Sequence, residues 1–136
     1  MLIIIAYHGL QVFARKLIRP FGALGAKDLQ NEVRAVEKLC EPGSHKNIVS
    51  VLRHGRFPPL LYFIDMEVCE LNLENYIHRK WPAEIVAKVP HFTNDVPART
   101  RMSQVWEILE DITSGVAFIH LNKEIHRDLK PRNSTT

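Results

Sequence analysis

Apolar and polar positions change their period several times along the chain, and each change marks an element. Met1 to Tyr7 is an apolar run that stops at His8, which predicts a buried strand. His8-Gly9 reads as a turn. Gln11 to Ile18 then alternates, with Val12, Ala14, Lys16 and Ile18 on one strand face and Phe13, Arg15 and Leu17 on the other. Pro20 and Gly22 end it. Asp28 is placed to cap a helix carrying Leu29, Val33, Val36 and Leu39 or Cys40 on one stripe, closed by Pro42-Gly43-Ser44. The runs Ile48 to Leu52 and Leu60 to Met66, separated by a stretch ending in Pro58-Pro59, predict an antiparallel strand pair.

Beyond Met66 the period changes. Cys69 to Asn72 is a short polar connection, and Leu73, Tyr76 and Ile77 predict a brief helix. From Lys80 to Met102 the chain carries Pro82, Pro90 and Pro97 and no helical or strand period, the mark of an insertion or a functional loop. The clearest helix follows, with Val105, Ile108, Leu109, Ile112, Val116 and Ile119 on one face and Ser103 as its N-cap. His120 to Thr136 is polar and irregular. Strands with one helix, then helices, point to an α+β fold of two layers or lobes.

Composition narrows the picture without naming a chemistry. The 136 residues are 46% apolar and 24% charged, ordinary for a folded domain and unlike a disordered or fibrous chain. Lys and Arg number 18 against 15 Asp and Glu, a net charge of +3. The basic residues are scattered, so nucleic-acid binding has no support. Met1–Tyr7 is far shorter than the ~20 residues of a membrane span, and it has no basic flank or cleavage site of a signal peptide. The expectation is no membrane partner. Cys40 and Cys69 form no C-x-x-C pair; free thiols in a reducing, intracellular compartment, cytoplasmic or nuclear, are the simpler reading. A zinc module of Cys40, His45, His54 and Cys69 would have irregular spacing.

The densest chemistry is His126-Arg127-Asp128-Leu129-Lys130-Pro131-Arg132-Asn133. It sets a carboxylate, an amine and an amide on one short loop after the helix. Asp128 can accept a proton from a hydroxyl, Lys130 can neutralise a phosphoryl oxygen, and Asn133 can offer its amide oxygen to Mg²⁺. The run matches every fixed position of the H-R-D-x-x-x-x-N catalytic loop and resembles that of eukaryotic-type protein kinases. The resemblance implies catalytic roles for Asp128, Lys130 and Asn133, a metal role for Asn133, and ATP and Mg²⁺ as cofactors. The type of residue at Lys130 favours the serine/threonine branch.

Four further segments resemble the family in its own order. Val12-Phe13-Ala14-Arg15-Lys16 is similar to the strand whose lysine holds the α- and β-phosphates, with Ala14 under the adenine. Glu32 is then the helical glutamate that pairs with Lys16, and Glu37 is the competitor, which falls on the outward face. His45-Lys46-Asn47-Ile48-Val49 resembles the lead into the next strand. Leu61 to Cys69 resembles the following strand and hinge, with Met66 as gatekeeper and with Glu67 and Cys69, on either side of Val68, offering backbone groups to the adenine edge. The 65–73 stretch also looks like fungal kinase-like sequences. On this register, residues 1–136 form a partial kinase domain: 1–66 the N-lobe part, 67–72 the hinge, and 73–136 the C-lobe part ending in the catalytic loop.

Some of the family's pattern is missing. No G-x-G-x-x-G precedes Lys16, and no D-F-G follows Asn133. The expectation is the middle of a kinase domain, its lysine strand left at a sheet edge and the Val105–Ile119 stripe partly uncovered. The resemblance implies ATP as a partner, transfer to a protein serine or threonine that the sequence does not identify, and loss of that activity in these residues alone. A catalytically dead, kinase-like binding module is the alternative.

Overall fold

A computed structural model describes residues 2–19, 22–58, 60–81 and 96–135. Most of the expected insertion, residues 82–95, lies outside them. The elements in chain order are β1 (Leu2–His8), β2 (Gln11–Ile18), α1 (Gly22–Leu39), β3 (Val51–Phe57), β4 (Leu61–Met66), α2 (Leu73–His78) and α3 (Ala98–Leu121), with a closing 3₁₀ turn at Pro131–Asn133. The chain divides into two compact units. One runs to Val68 and includes Phe118–Glu124; the other comprises Cys69–Ala117 and the residues from Ile125 onward. The fold class is α+β, as the periodicity implies.

The first unit is built on a four-stranded antiparallel sheet in the order β1-β2-β4-β3. β1 pairs with β2 along its whole length, from Leu2 opposite Leu17 to His8 opposite Gln11. This corrects the expectation that the lysine strand lies at an edge. A turn of two residues, Gly9-Leu10, suffices to fold the apolar run back, and Gly9 takes a φ of 61° that a side chain would strain. The lysine strand is therefore interior, and β1 and β3 are the edges.

Three boundaries also move. α1 starts at Gly22, so Asp28 sits inside it, exposed, and caps nothing. Ala23, Leu24, Ala26 and Lys27 are strong helix formers and extend the helix past the cap signal. α3 likewise starts at Ala98, directly after Pro97, and Ser103 is an exposed interior residue whose hydroxyl meets Glu107. A proline fits the N-terminal boundary of a helix because its missing N–H would have no partner there. β3 runs through Arg53, His54 and Arg56 rather than ending at Leu52, because pairing with β4 satisfies its backbone whatever the polarity of the side chains. The stripe on α3 is buried at Ile119 (7% exposed) and open at Leu109 (45%).

The tightest knot lies on one face of the sheet. Asp65 on β4 is 0% exposed. Arg15 on β2 grips both of its oxygens, Nε at 2.6 Å and Nη2 at 2.8 Å, while Nε of Arg53 on β3 reaches one at 2.7 Å. The Arg15 guanidinium also stands 5.3 Å from the Phe13 ring centre and 4.8 Å from that of Phe63, within cation–π range. Burial alone would push the Asp65 carboxyl up, but the hydrogen bonds and charges of the two arginines outweigh it and hold it below its ordinary value.

Removing one partner of a buried ionic cluster leaves charge without compensation. Asp65→Ala should therefore cost about 2–3 kcal/mol of stability in urea unfolding, less than a fully buried pair because both arginines are partly exposed. Because the folded-state value is depressed, this stabilisation is complete above the unfolded carboxylate value of roughly 3.9 and is lost as pH falls through the folded one. A wild-type-minus-mutant difference that stays constant between pH 6 and pH 2.5 would contradict the cluster.

Candidate active site

The opposite face of the same sheet carries Lys16. Strand alternation puts Ala14 and Lys16 on that face, and the register sets Ala14 against Met66 and Lys16 against Ile64. The Lys16 ammonium donates to a carboxylate oxygen of Glu32 on α1, with both side chains half-buried at 21% and 35% exposure. Glu37 is exposed. Past β4, the Glu67 N–H donates to the Ser50 carbonyl at 3.1 Å, and the Ser50 N–H donates to the Glu67 carboxylate at 2.6 Å. This pins the stretch that leads to exposed Val68. Cys69, a free and half-buried thiol, opens the second unit.

In the second unit, residues 126–133 close on themselves. Lys130 Nζ donates to both Asp128 oxygens at 2.9 and 2.8 Å. Asn133 Nδ2 donates to the Asp128 carbonyl at 2.9 Å and to its carboxylate at 2.8 Å. Arg127 takes a left-handed φ of 63°, an uncommon state for a side chain of its size. These hydrogen bonds, Lys130 first and then Asn133, hold the Asp128 carboxyl below its ordinary value, so at neutral pH it is an anion that can only accept. With the amide NH₂ of Asn133 committed to Asp128, its carbonyl oxygen is the group left for a cation.

Contacts from α2 hold this loop in place. Asn72 caps α2 reciprocally with Asn75, and the Leu73 N–H donates to the Ser134 carbonyl at 2.8 Å. Arg132 forks onto Glu74 at 3.1 and 3.2 Å, the two-pronged geometry that guanidinium and carboxylate favour. A shallow cavity of about 270 Å³ lined by Glu74, Lys130, Pro131 and Arg132 opens beside it.

The family model for protein tyrosine and serine/threonine kinases matches residues 14–134, spanning both the Lys16 strand and the Asp128 loop. The chain belongs to this family.

Its kinase relatives are diverse. It is 33% identical over 104 residues to the serine/threonine-protein kinase SSN3 of Scheffersomyces stipitis, covering 76% of this chain and 21% of that protein. It is 24% identical over 136 residues to the serine/threonine-protein kinase/endoribonuclease IRE1 of Oryza sativa, covering 94% of the chain and 14% of the relative. A fibroblast growth factor receptor of Ciona intestinalis is 27% identical over 112 residues, 79% of the chain and 15% of the receptor. The chain thus spans about a fifth or less of the length of these relatives. Protein kinases use ATP and Mg²⁺, and the donors here suit them unequally. A lysine on an interior strand, steadied by a glutamate, fits a phosphate anion. For a metal, the Asn133 amide oxygen is one ligand, and among the described residues no three His, Cys, Asp or Glu side chains gather to hold an ion.

Ala14, Lys16, Glu32 and Met66 are thus assembled around one sheet face, and Asp128, Lys130 and Asn133 around one loop. The sequence reading missed three charged groups. Asp65 left a signal, as a carboxylate inside an apolar strand run with arginines on neighbouring strands. Glu74 left none, because 58 residues separate it from Arg132. Glu124, which meets Arg34 and Lys38, lies too far from both in the chain for any local spacing to join them.

Loss of the α2 cap should loosen the loop. Asn72→Ala should lower stability by about 1 kcal/mol and speed hydrogen exchange at the Leu73 amide, which donates to Ser134. Unchanged exchange at Leu73 would show that the cap does not support the loop.

Proposed function

We propose that this chain carries the nucleotide-holding and hydroxyl-activating residues of a protein serine/threonine kinase. The observation that supports it most is the ion pair from Lys16 to Glu32 in a chain that also holds the complete His126–Asn133 run. ATP, when bound, supplies the phosphoryl group that passes to a protein hydroxyl. Lys16, held by Glu32, offsets negative charge on the nucleotide phosphates. Ala14, Met66 and Val68 present apolar surface to the base, and Glu67 and Cys69 offer backbone groups to its edge. Asp128, ionised at neutral pH, orients the incoming hydroxyl and accepts its proton. Lys130, already within reach of Asp128, balances charge on the transferred group. The Asn133 oxygen is the metal ligand.

Lys130 and the relatives named as serine/threonine-protein kinases support hydroxyls of serine and threonine as acceptors. A cytoplasmic or nuclear setting fits two unpaired cysteines; among the described residues no helix is long and apolar enough to cross a membrane. The 136 residues contain neither a Gly-rich phosphate loop nor an Asp-Phe-Gly metal ligand. Transfer depends chiefly on positioning and charge neutralisation, so these residues alone should fall short by several kcal/mol, on the order of 10³-fold or more in rate.

Two measurements test this. In calorimetric titration with Mg·ATP, Lys16→Met should weaken binding about tenfold or more, and equal affinity would refute the role of Lys16. In radiolabelled transfer to a generic basic protein, the 136-residue chain should show no activity above its Asp128→Asn variant. Transfer that Asp128→Asn abolishes would overturn the inactivity while supporting Asp128 as the base.

A further inference from the structure

α1 presents charge on two sides. At roughly 100° per residue, Arg34 and Lys38 lie about 200° and 240° round the helix from Glu32, on its far side. Both meet Glu124. The Arg34 guanidinium is 3.2 Å from one of its carboxylate oxygens and the Lys38 ammonium 3.3 Å from the other. Glu124 is only 15% exposed, although its partners are at 62% and 40%, so the carboxylate is the fixed member of the cluster.

Its position is set by backbone geometry. The end of α3 closes in a Schellman motif, with the Lys123 N–H on the His120 carbonyl at 2.8 Å and the Glu124 N–H on the Ile119 carbonyl at 3.1 Å. Lys123 occupies the left-handed position at φ 59°, where glycine is the usual residue. The same segment docks by stacking: the His45 and Phe118 rings lie 4.8 Å apart and 27° from parallel. A strained, hydrogen-bonded turn thus aims one carboxylate at two cations on successive turns of α1.

We infer that Glu124 is a positioning residue that, through Arg34 and Lys38, fixes the rotation of α1 and so keeps Glu32 on Lys16. Beside apolar contacts such as that of buried Leu39, α1 has one flexible carboxylate tying it to the sheet side, and a second tie on its far side limits how far it can roll about its axis. The consequence for phosphate binding rests on the proposed role of Lys16, whereas the coupling itself does not.

The test reads Lys16 directly, without nucleotide. The full chain is acylated with N-hydroxysuccinimidyl acetate, and the rate at Lys16 is followed by mass spectrometry, with exposed Lys27 as an internal reference. Glu124→Lys sets three cations together and should speed Lys16 acylation about threefold while leaving Lys27 unchanged. The charge-swapped triple variant Arg34→Glu, Lys38→Glu, Glu124→Lys should return the rate to within about 1.5-fold of wild type. Should circular dichroism show Glu124→Lys unfolded, Glu124→Gln should raise the Lys16 rate about 1.5-fold to twofold. An unchanged Lys16 rate in the folded variant, a parallel rise at Lys27, or no rescue by the swap would overturn the inference. Failure of Lys16→Met to weaken Mg·ATP binding would instead remove the functional reading and leave the coupling intact.

Discussion

A carboxylate without exposed surface organises the first unit. Asp65 is gripped by arginines from the strands on either side of its own, so β2, β4 and β3 are locked in a single register. A slip of β2 by one residue would carry Arg15 to the opposite face and leave the buried Asp65 with Arg53 as its remaining arginine. Because strand neighbours alternate, the register that pairs Arg15 with Asp65 also fixes Lys16 opposite Ile64, on the other face. The same constraint therefore serves stability on one face and the placement of Lys16 on the other. Glu32 then has a fixed cation to meet, and the hairpin with β1 keeps that cation on an interior strand rather than at a frayed edge.

The second unit uses a different logic. The polar groups of residues 126–133 are exposed and satisfy one another: Asp128 takes hydrogen bonds from Lys130 and Asn133, and the loop is held from outside by the capped start of α2 and the Glu74–Arg132 fork. Solvent-exposed ion pairs contribute little to stability. Here they set direction, since each contact limits where the Asp128 carboxylate and the Asn133 amide can point.

Much of this was legible in the chain. Alternation over Gln11–Ile18 located Lys16, and the His126–Asn133 run stood out because its residue types and spacing carry a mechanism of their own. Helix starts were less legible, because capping residues such as Asp28 and Ser103 mark a start only when the preceding residues resist helix, and helix formers such as Ala26 and Lys27 or Arg101 and Met102 do not. The mistaken edge position of the lysine strand had a similar origin: the apolar run before it looks orphaned until a two-residue turn is weighed. Contacts between distant residues, Glu74 with Arg132 and Glu124 with α1, were invisible because charge spacing in one dimension does not encode them.

The central claim is that the Lys16 face of the sheet and the stretch after β4 receive a nucleotide. Titration of the isotopically labelled chain with Mg·ATP, followed by heteronuclear NMR, tests it most directly. Saturable shifts should concentrate at the amides of Ala14 and Lys16 and of Met66 to Cys69, with the Arg53 and Gly55 amides on edge strand β3 left unmoved. Shifts absent from Ala14, Lys16 and Met66–Cys69, or spread evenly over the sheet, would contradict it.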